Sequence, residues 1–135
     1  MPSSQLIELI RKADKVLIIG NGGSYANSQH MASDLLSCGV SAFTMDIATF
    51  SAFSNDFGYY TAFEKWVTIC GRKNDLLIAM SGSGKSPNVL KACEAAERIG
   101  MKVWRIYGAD LGQDMQVAEQ HQLIVVHEIM KALKK

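Results

Sequence analysis

"LLIAMSGSGKSPNVLKA", residues 76–92, runs from a continuous apolar segment into a loop of Ser, Gly and Lys and then into a helical pattern. An apolar run that short and uninterrupted is expected of a strand covered on both faces. Pro87 suits the first turn of a helix and Ser86 its N-cap. The loop between, Ser81-Gly82-Ser83-Gly84-Lys85-Ser86, therefore sits where a strand hands over to a helix N-terminus. Free backbone N–H groups and the positive dipole end make such a terminus ready for an anion. The hydroxyls of Ser81, Ser83 and Ser86 add three donors around the same point. Gly84-Lys85-Ser86 resembles the end of a nucleotide P-loop, but that loop needs a glycine where this chain has Ala79, still inside the strand. The segment reads as a cradle for one phosphate, with no nucleotide cofactor. Lys85 either adds a point charge to that phosphate or projects into water.

Working outward, the same strand signal recurs at 15–20 ("KVLIIG"), 41–46 ("SAFTMD") and 102–107 ("KVWRIY"), beside 75–80. Helical apolar spacing fills 24–38, 61–70, 87–99 and about 113–134, with Gly100 closing the third of these. Strands alternating with helices imply an α/β fold in one domain, residues 1–135: a doubly wound, flavodoxin-like αβα sandwich with a mostly parallel sheet of about four strands. Ligands of such sheets bind outside the carboxyl ends of the strands. The search therefore narrows to residues 20–24, 46–58, 80–88 and 108–114.

Composition sets bounds on partners. Fourteen Lys and Arg against thirteen Asp and Glu leave no basic field for nucleic acid or anionic lipid. No apolar run approaches the roughly 20 residues of a membrane span, and the amino terminus does not resemble a signal peptide. Cys38, Cys70 and Cys93 are widely spaced, as expected for reduced thiols of a cytoplasmic protein rather than a metal cluster. Trp66 and Trp104 read as core or subunit-boundary residues.

The first strand ends in "GNGGS", residues 20–24, before a helix. The dinucleotide fingerprint fails here, because Tyr25 stands at its last glycine. Gly22 and Gly23 let backbone approach a ligand closely, and Asn21 and Ser24 can hydrogen-bond hydroxyl groups, so a polyol suits the loop. On the following helix His30 and Asp34 are four residues apart and share a face. That spacing serves a divalent metal, or equally an exposed ion pair. Glu119 and His127, eight apart on the last helix, also share a face; spacing alone does not join them to the first pair.

Taken in order, "GNGGS" at 20–24, "NDFG" at 55–58 and "SGSGKS" at 81–86 resemble the SIS (sugar isomerase) domains, and within them the phosphoheptose isomerase group. The likeness runs over about residues 14–108 and resumes in the last helix. It implies an aldose–ketose isomerase that converts sedoheptulose 7-phosphate to D-glycero-D-manno-heptose 7-phosphate through an enediol, in bacterial heptose and surface-glycan biosynthesis. The family's phosphate loop falls on Ser81, Gly82, Ser83 and Ser86. Its sugar contacts fall on Asn21, Gly22, Ser24, Asn55 and Asp56, though Asp56 before Gly58 equally fits an Asx turn. Its zinc, or another divalent metal, would take His30, Asp34, Glu119 and His127, with Asp34 as catalytic base and His127 as acid. Dimers or tetramers with sites near subunit boundaries are implied as well.

This chain departs from that pattern in four ways. Asp34 stands where the family has Glu, and Glu119 where it has Gln; the family's long first helix is missing before residue 4, and its fifth strand between Gly108 and the last helix. The alternative reading is a non-catalytic SIS module that binds a sugar phosphate or a protein partner as a regulator, for example of replication initiation. Such a module needs the serines of the cradle but not His30, Asp34 or His127.

Overall fold

The computed structural model describes residues 2–107 and 114–134. Its elements run α1 (Pro2–Lys12), β1 (Val16–Gly20), α2 (Gly23–Ser37), β2 (Ala42–Thr44), α3 (Ile47–Phe57), a 3₁₀ turn (Tyr59–Thr61), α4 (Ala62–Cys70), β3 (Leu76–Ser81), α5 (Pro87–Ile99), β4 (Lys102–Tyr107) and α6 (Met115–Leu133). The four strands form one sheet in the order β2-β1-β3-β4. Every pairing is parallel, so each connection crosses over through a helix. The doubly wound architecture expected from the sequence is the one observed.

Alternation along the central strands assigns the layers. Val16 and Ile18 of β1, with Leu76, Ile78 and Met80 of β3, face Leu6 and Ile10 of α1, Met31 and Leu35 of α2, and Val126 and Ile129 of α6. Leu17, Ile19, Leu77 and Ala79 point the other way, toward Phe63, Trp66 and Val67 of α4 and Val89, Ala92, Cys93 and Ala96 of α5. All five residues of β1 and all six of β3 are buried. That explains their unbroken apolar runs: both faces of each strand are covered. At the far edge, Lys15 and the buried Asp75 form an ion pair joining the starts of β1 and β3.

Two helices depart from the sequence reading. Helix α1 arises from "LIELIRK", whose Leu6 and Ile10 lie one turn apart and are fully buried. Helix α3 occupies most of the segment expected to be loop at 46–58. Asp46 starts it, accepting hydrogen bonds from the Thr49 backbone N–H at 3.0 Å and the Thr49 hydroxyl at 2.7 Å. That cap also ends β2 at Thr44, two residues short of the expected strand. Phe50 and Phe53 then pack against the α4/α5 layer. The expected absence of a fifth strand concerns residues 108–113, outside the described residues.

Candidate active site

The loops after β1 and β3 lie side by side, because those two strands are paired neighbours. After β3, the Ser81 hydroxyl accepts from the Gly84 N–H at 3.0 Å and lies 3.3 Å from the Ser86 hydroxyl. Ser83 accepts from the Lys85 N–H at 3.0 Å. Ser86 is the N-cap of α5, yet its side chain makes no cap hydrogen bond. The hydroxyl is turned across the loop mouth instead of being spent on its own helix. Gly82 lies under the Met115 side chain of α6, whose methyl would stand 2.5 Å from a Cβ there and would have to shift to admit one. Lys85 is exposed. Local sequence thus folds into a hydroxyl-lined turn over a helix N-terminus.

After β1, Asn21 and Gly22 lead into α2. The Asn21 side chain exchanges two hydrogen bonds with Asn88 of α5, each 2.9 Å. Ser24 points inward: it is 2 % exposed, and its hydroxyl lies between the amide oxygen and nitrogen of Gln122 at 3.1 and 3.0 Å. Gln122, fully buried, also accepts from the Asn27 amide at 2.9 Å. Asn27 in turn donates to the Glu119 carbonyl at 3.0 Å. These bonds lock α6 against α2 in register. The Tyr25 hydroxyl donates to the Met45 carbonyl; burial, then the nearby Asp46 charge, pushes its pKa up.

The locked pair of helices brings three of the four expected metal-site residues together. His30 Nε2 is 3.4 Å from Asp34 Oδ2, and the His30 and His127 rings are 5.4 Å apart at 68°. Asp34 Oδ2 is buried and has no hydrogen-bond partner. The His30 ring nitrogen faces this same oxygen at 3.4 Å, an ion pair when that imidazole is protonated. Glu119 is placed elsewhere. Its carboxylate covers Gly23, lying 2.1 Å from where a Cβ would be, at the positive end of α2, a favourable place for an anion. His30 is about 10 Å further along that helix at 1.5 Å per residue. Among the described residues, no three His, Cys, Asp or Glu side chains stand ready to hold an ion. The donor types of His30, Asp34 and His127 nonetheless suit zinc.

Asn55 and Asp56 lie in the last turn of α3, exposed, with the Asn55 amide donating to Asp56 at 3.1 Å. The 3₁₀ turn that follows packs on α5, the helix whose N-terminus forms the cradle. Cys93 is 1 % exposed, and burial pushes its thiol pKa up. No thiolate nucleophile is built there. A cavity of about 400 Å³ lined by Lys12, Lys73 and Lys102 opens at the amino-terminal edge of the sheet. Sheets of this kind bind ligands at the opposite edge, where the two loops converge.

A family model described as SIS domain matches residues 3–108. The chain belongs to the SIS domain family. It is 41% identical over 116 residues to a phosphoheptose isomerase of Helicobacter pylori strain P12, covering 80% of this chain and 60% of that protein. Against a phosphoheptose isomerase of Campylobacter jejuni (strain 81116) it is 38% identical over 129 residues, 89% of this chain and 68% of the other. The structure of phosphoheptose isomerase GmhA from Neisseria gonorrhoeae superposes with a TM-score of 0.89 at 28% identity, covering 98% of this chain and 85% of that one. This SIS chain thus spans about 60% of the length of the Helicobacter relative.

Gln122 and Asn88 are the site residues that sequence reasoning misses. A glutamine inside a mixed helix carries no spacing signal, and Asn88 behind Pro87 reads as one more first-turn residue. Both become visible only as buried polar groups, which need partners.

Proposed function

We propose that this SIS domain is a phosphosugar aldose–ketose isomerase acting on sedoheptulose 7-phosphate to give D-glycero-D-manno-heptose 7-phosphate. The observation that carries this reading is the Asp34 carboxylate facing His30 at 3.4 Å, with the His127 ring 5.4 Å from the His30 ring, on a helix whose N-terminal loop borders the phosphate cradle. The cradle at Ser81, Gly82, Ser83 and Ser86 would hold the phosphate. Asn21, with Gly22, would meet the sugar hydroxyls, and Asn55 and Asp56 would close over the far side. Ser24 supports the loop from beneath through Gln122.

The chemistry follows from the groups present. Converting ketose to aldose removes a proton from C1 and returns one to C2. Asp34 would take the C1 proton, and His127 would donate to the carbonyl oxygen as it gains charge, then recover a proton from the neighbouring hydroxyl of the enediol. A divalent cation, zinc by donor chemistry, would be held by His30, Asp34 and His127 and would polarise the carbonyl. Its fourth expected ligand, Glu119, would have to leave Gly23 to join it. The relatives named phosphoheptose isomerase support the reading.

No helix among the described residues is long and apolar enough to cross a membrane; a cytoplasmic place in heptose biosynthesis is a separate part of the proposal. Ile47, Tyr60 and Ile69 are 65%, 57% and 53% exposed; covering them in a dimer or tetramer is part of the same proposal.

The test is incubation of metal-replete protein with sedoheptulose 7-phosphate, following aldose formation. Turnover is expected. Binding of the phosphosugar without turnover, even at high protein concentration, would instead favour a sugar-phosphate sensor, a reading that the displaced Glu119 carboxylate supports.

A further inference from the structure

Asn88 is the second residue of α5 and is 1 % exposed. Buried amides must be satisfied, and this one is satisfied in a way that carries orientation across the cleft. Its Oδ1 accepts from the Val89 backbone N–H at 3.0 Å and from Asn21 Nδ2 at 2.9 Å. Its Nδ2 donates to Asn21 Oδ1 at 2.9 Å. An amide oxygen has two lone pairs and the nitrogen two protons, so the oxygen of Asn88 is filled. The Val89 N–H decides which end of Asn88 is oxygen. That choice dictates that Asn21 turns its nitrogen to Oδ1 and its oxygen to Nδ2. One N–H and one lone pair of Asn21 are left over, in a direction set by the backbone of α5.

We infer that Asn88 is a positioning residue that fixes Asn21 relative to the phosphate cradle, and so sets how far from its phosphate a sugar hydroxyl is recognised. The inference rests on the proposed sugar-phosphate site and names how that site measures chain length. Asn88 touches no ligand itself. It couples the loop that would hold the sugar to the helix that would hold the phosphate, and misplacement of such groups by about 1 Å costs on the order of 100-fold.

The experiment is a double-mutant cycle with Asn21→Ala, Asn88→Ala and the pair, read by calorimetric binding of sedoheptulose 7-phosphate and, separately, of inorganic phosphate. Each single change is expected to weaken sugar-phosphate binding about tenfold and the pair also about tenfold, because both remove one coupled unit. Inorganic phosphate affinity should stay within about twofold, since the cradle is unchanged. Asn88→Ser keeps a hydroxyl near the Val89 N–H and loses the reach to Asn21, so it reports the same outcome if Asn88→Ala does not fold. Multiplying losses in the double variant, or equal weakening of inorganic phosphate and phosphosugar, overturns the inference. Phosphosugar binding without turnover by the unsubstituted protein overturns the isomerase reading alone, because the cycle is read on binding. Failure of that protein to bind sedoheptulose 7-phosphate while binding inorganic phosphate overturns both.

Discussion

The cradle at the start of α5 and the histidine–carboxylate cluster between α2 and α6 are built by opposite means. The cradle is contiguous: Ser81 to Pro87 supply its turn, its hydroxyls and its helix N-terminus, and the hydrogen bonds from Gly84 to Ser81 and from Lys85 to Ser83 close it locally. The cluster is assembled at long range. His30 and His127 meet because α6 packs on α2, through the shared apolar core and through the Gln122, Ser24 and Asn27 hydrogen bonds, although most of the chain separates the two helices. A local device survives damage elsewhere in the fold, whereas a clamped one fails when its clamp loosens. Binding of the anion and transfer of the proton should therefore be separable.

The largest expected effect is on the cluster. Asp34→Asn removes the proposed base while leaving the side-chain volume nearly unchanged, and kcat should fall about 100- to 10,000-fold. Sugar-phosphate affinity, measured by calorimetry, should change far less; an equal loss in both would join the two regions into one.

Loosening the clamp comes next. Gln122→Ala leaves the buried Ser24 hydroxyl without its partner and takes one of two acceptors from the half-buried Asn27 amide, at a cost of about 1–3 kcal/mol read by urea unfolding. Turnover should drop while inorganic phosphate binding holds. In the cradle, Ser83→Ala removes one hydroxyl and should weaken phosphosugar binding about threefold to tenfold, as one hydrogen bond is lost, while loss of the exposed Lys85 N–H bond to Ser83 should lower unfolding stability by no more than about 1 kcal/mol.

Much of the fold was legible because the central strands are buried on both sides and advertise it as apolar runs. The cradle was legible for the same reason that it is robust, since every piece lies in one stretch. Helix α3 was not. Its Ser, Ala, Asn and Asp residues read as loop, although Phe50, Phe53 and Phe57 recur at helical spacing behind the Asp46 cap. The placement of Glu119 over Gly23 was hidden too. A shared helix face puts Glu119 and His127 in line, but only the packing of α6 on α2 decides how far along α2 each one lands.

The Asp46 cap gives the smallest effect. Hydrogen bonds from Thr49 hold its carboxyl below the ordinary carboxylate value. A lowered folded pKa contributes stability above the unfolded value and loses it as pH falls through the folded one. Asp46→Asn should flatten that slice of the acid unfolding curve without touching activity near neutral pH. An unchanged acid limb would mean that the cap does not stabilise α3.

The most direct measurement is proton exchange during turnover. Sedoheptulose 7-phosphate is incubated with the metal-replete protein in D₂O and the sugar followed by NMR. Transfer through an enediol, with Asp34 open to solvent exchange between steps, predicts deuterium at C2 of the aldose and at C1 of recovered ketose, and none with Asp34→Asn. Phosphosugar that binds yet keeps all its carbon-bound protons would contradict the account.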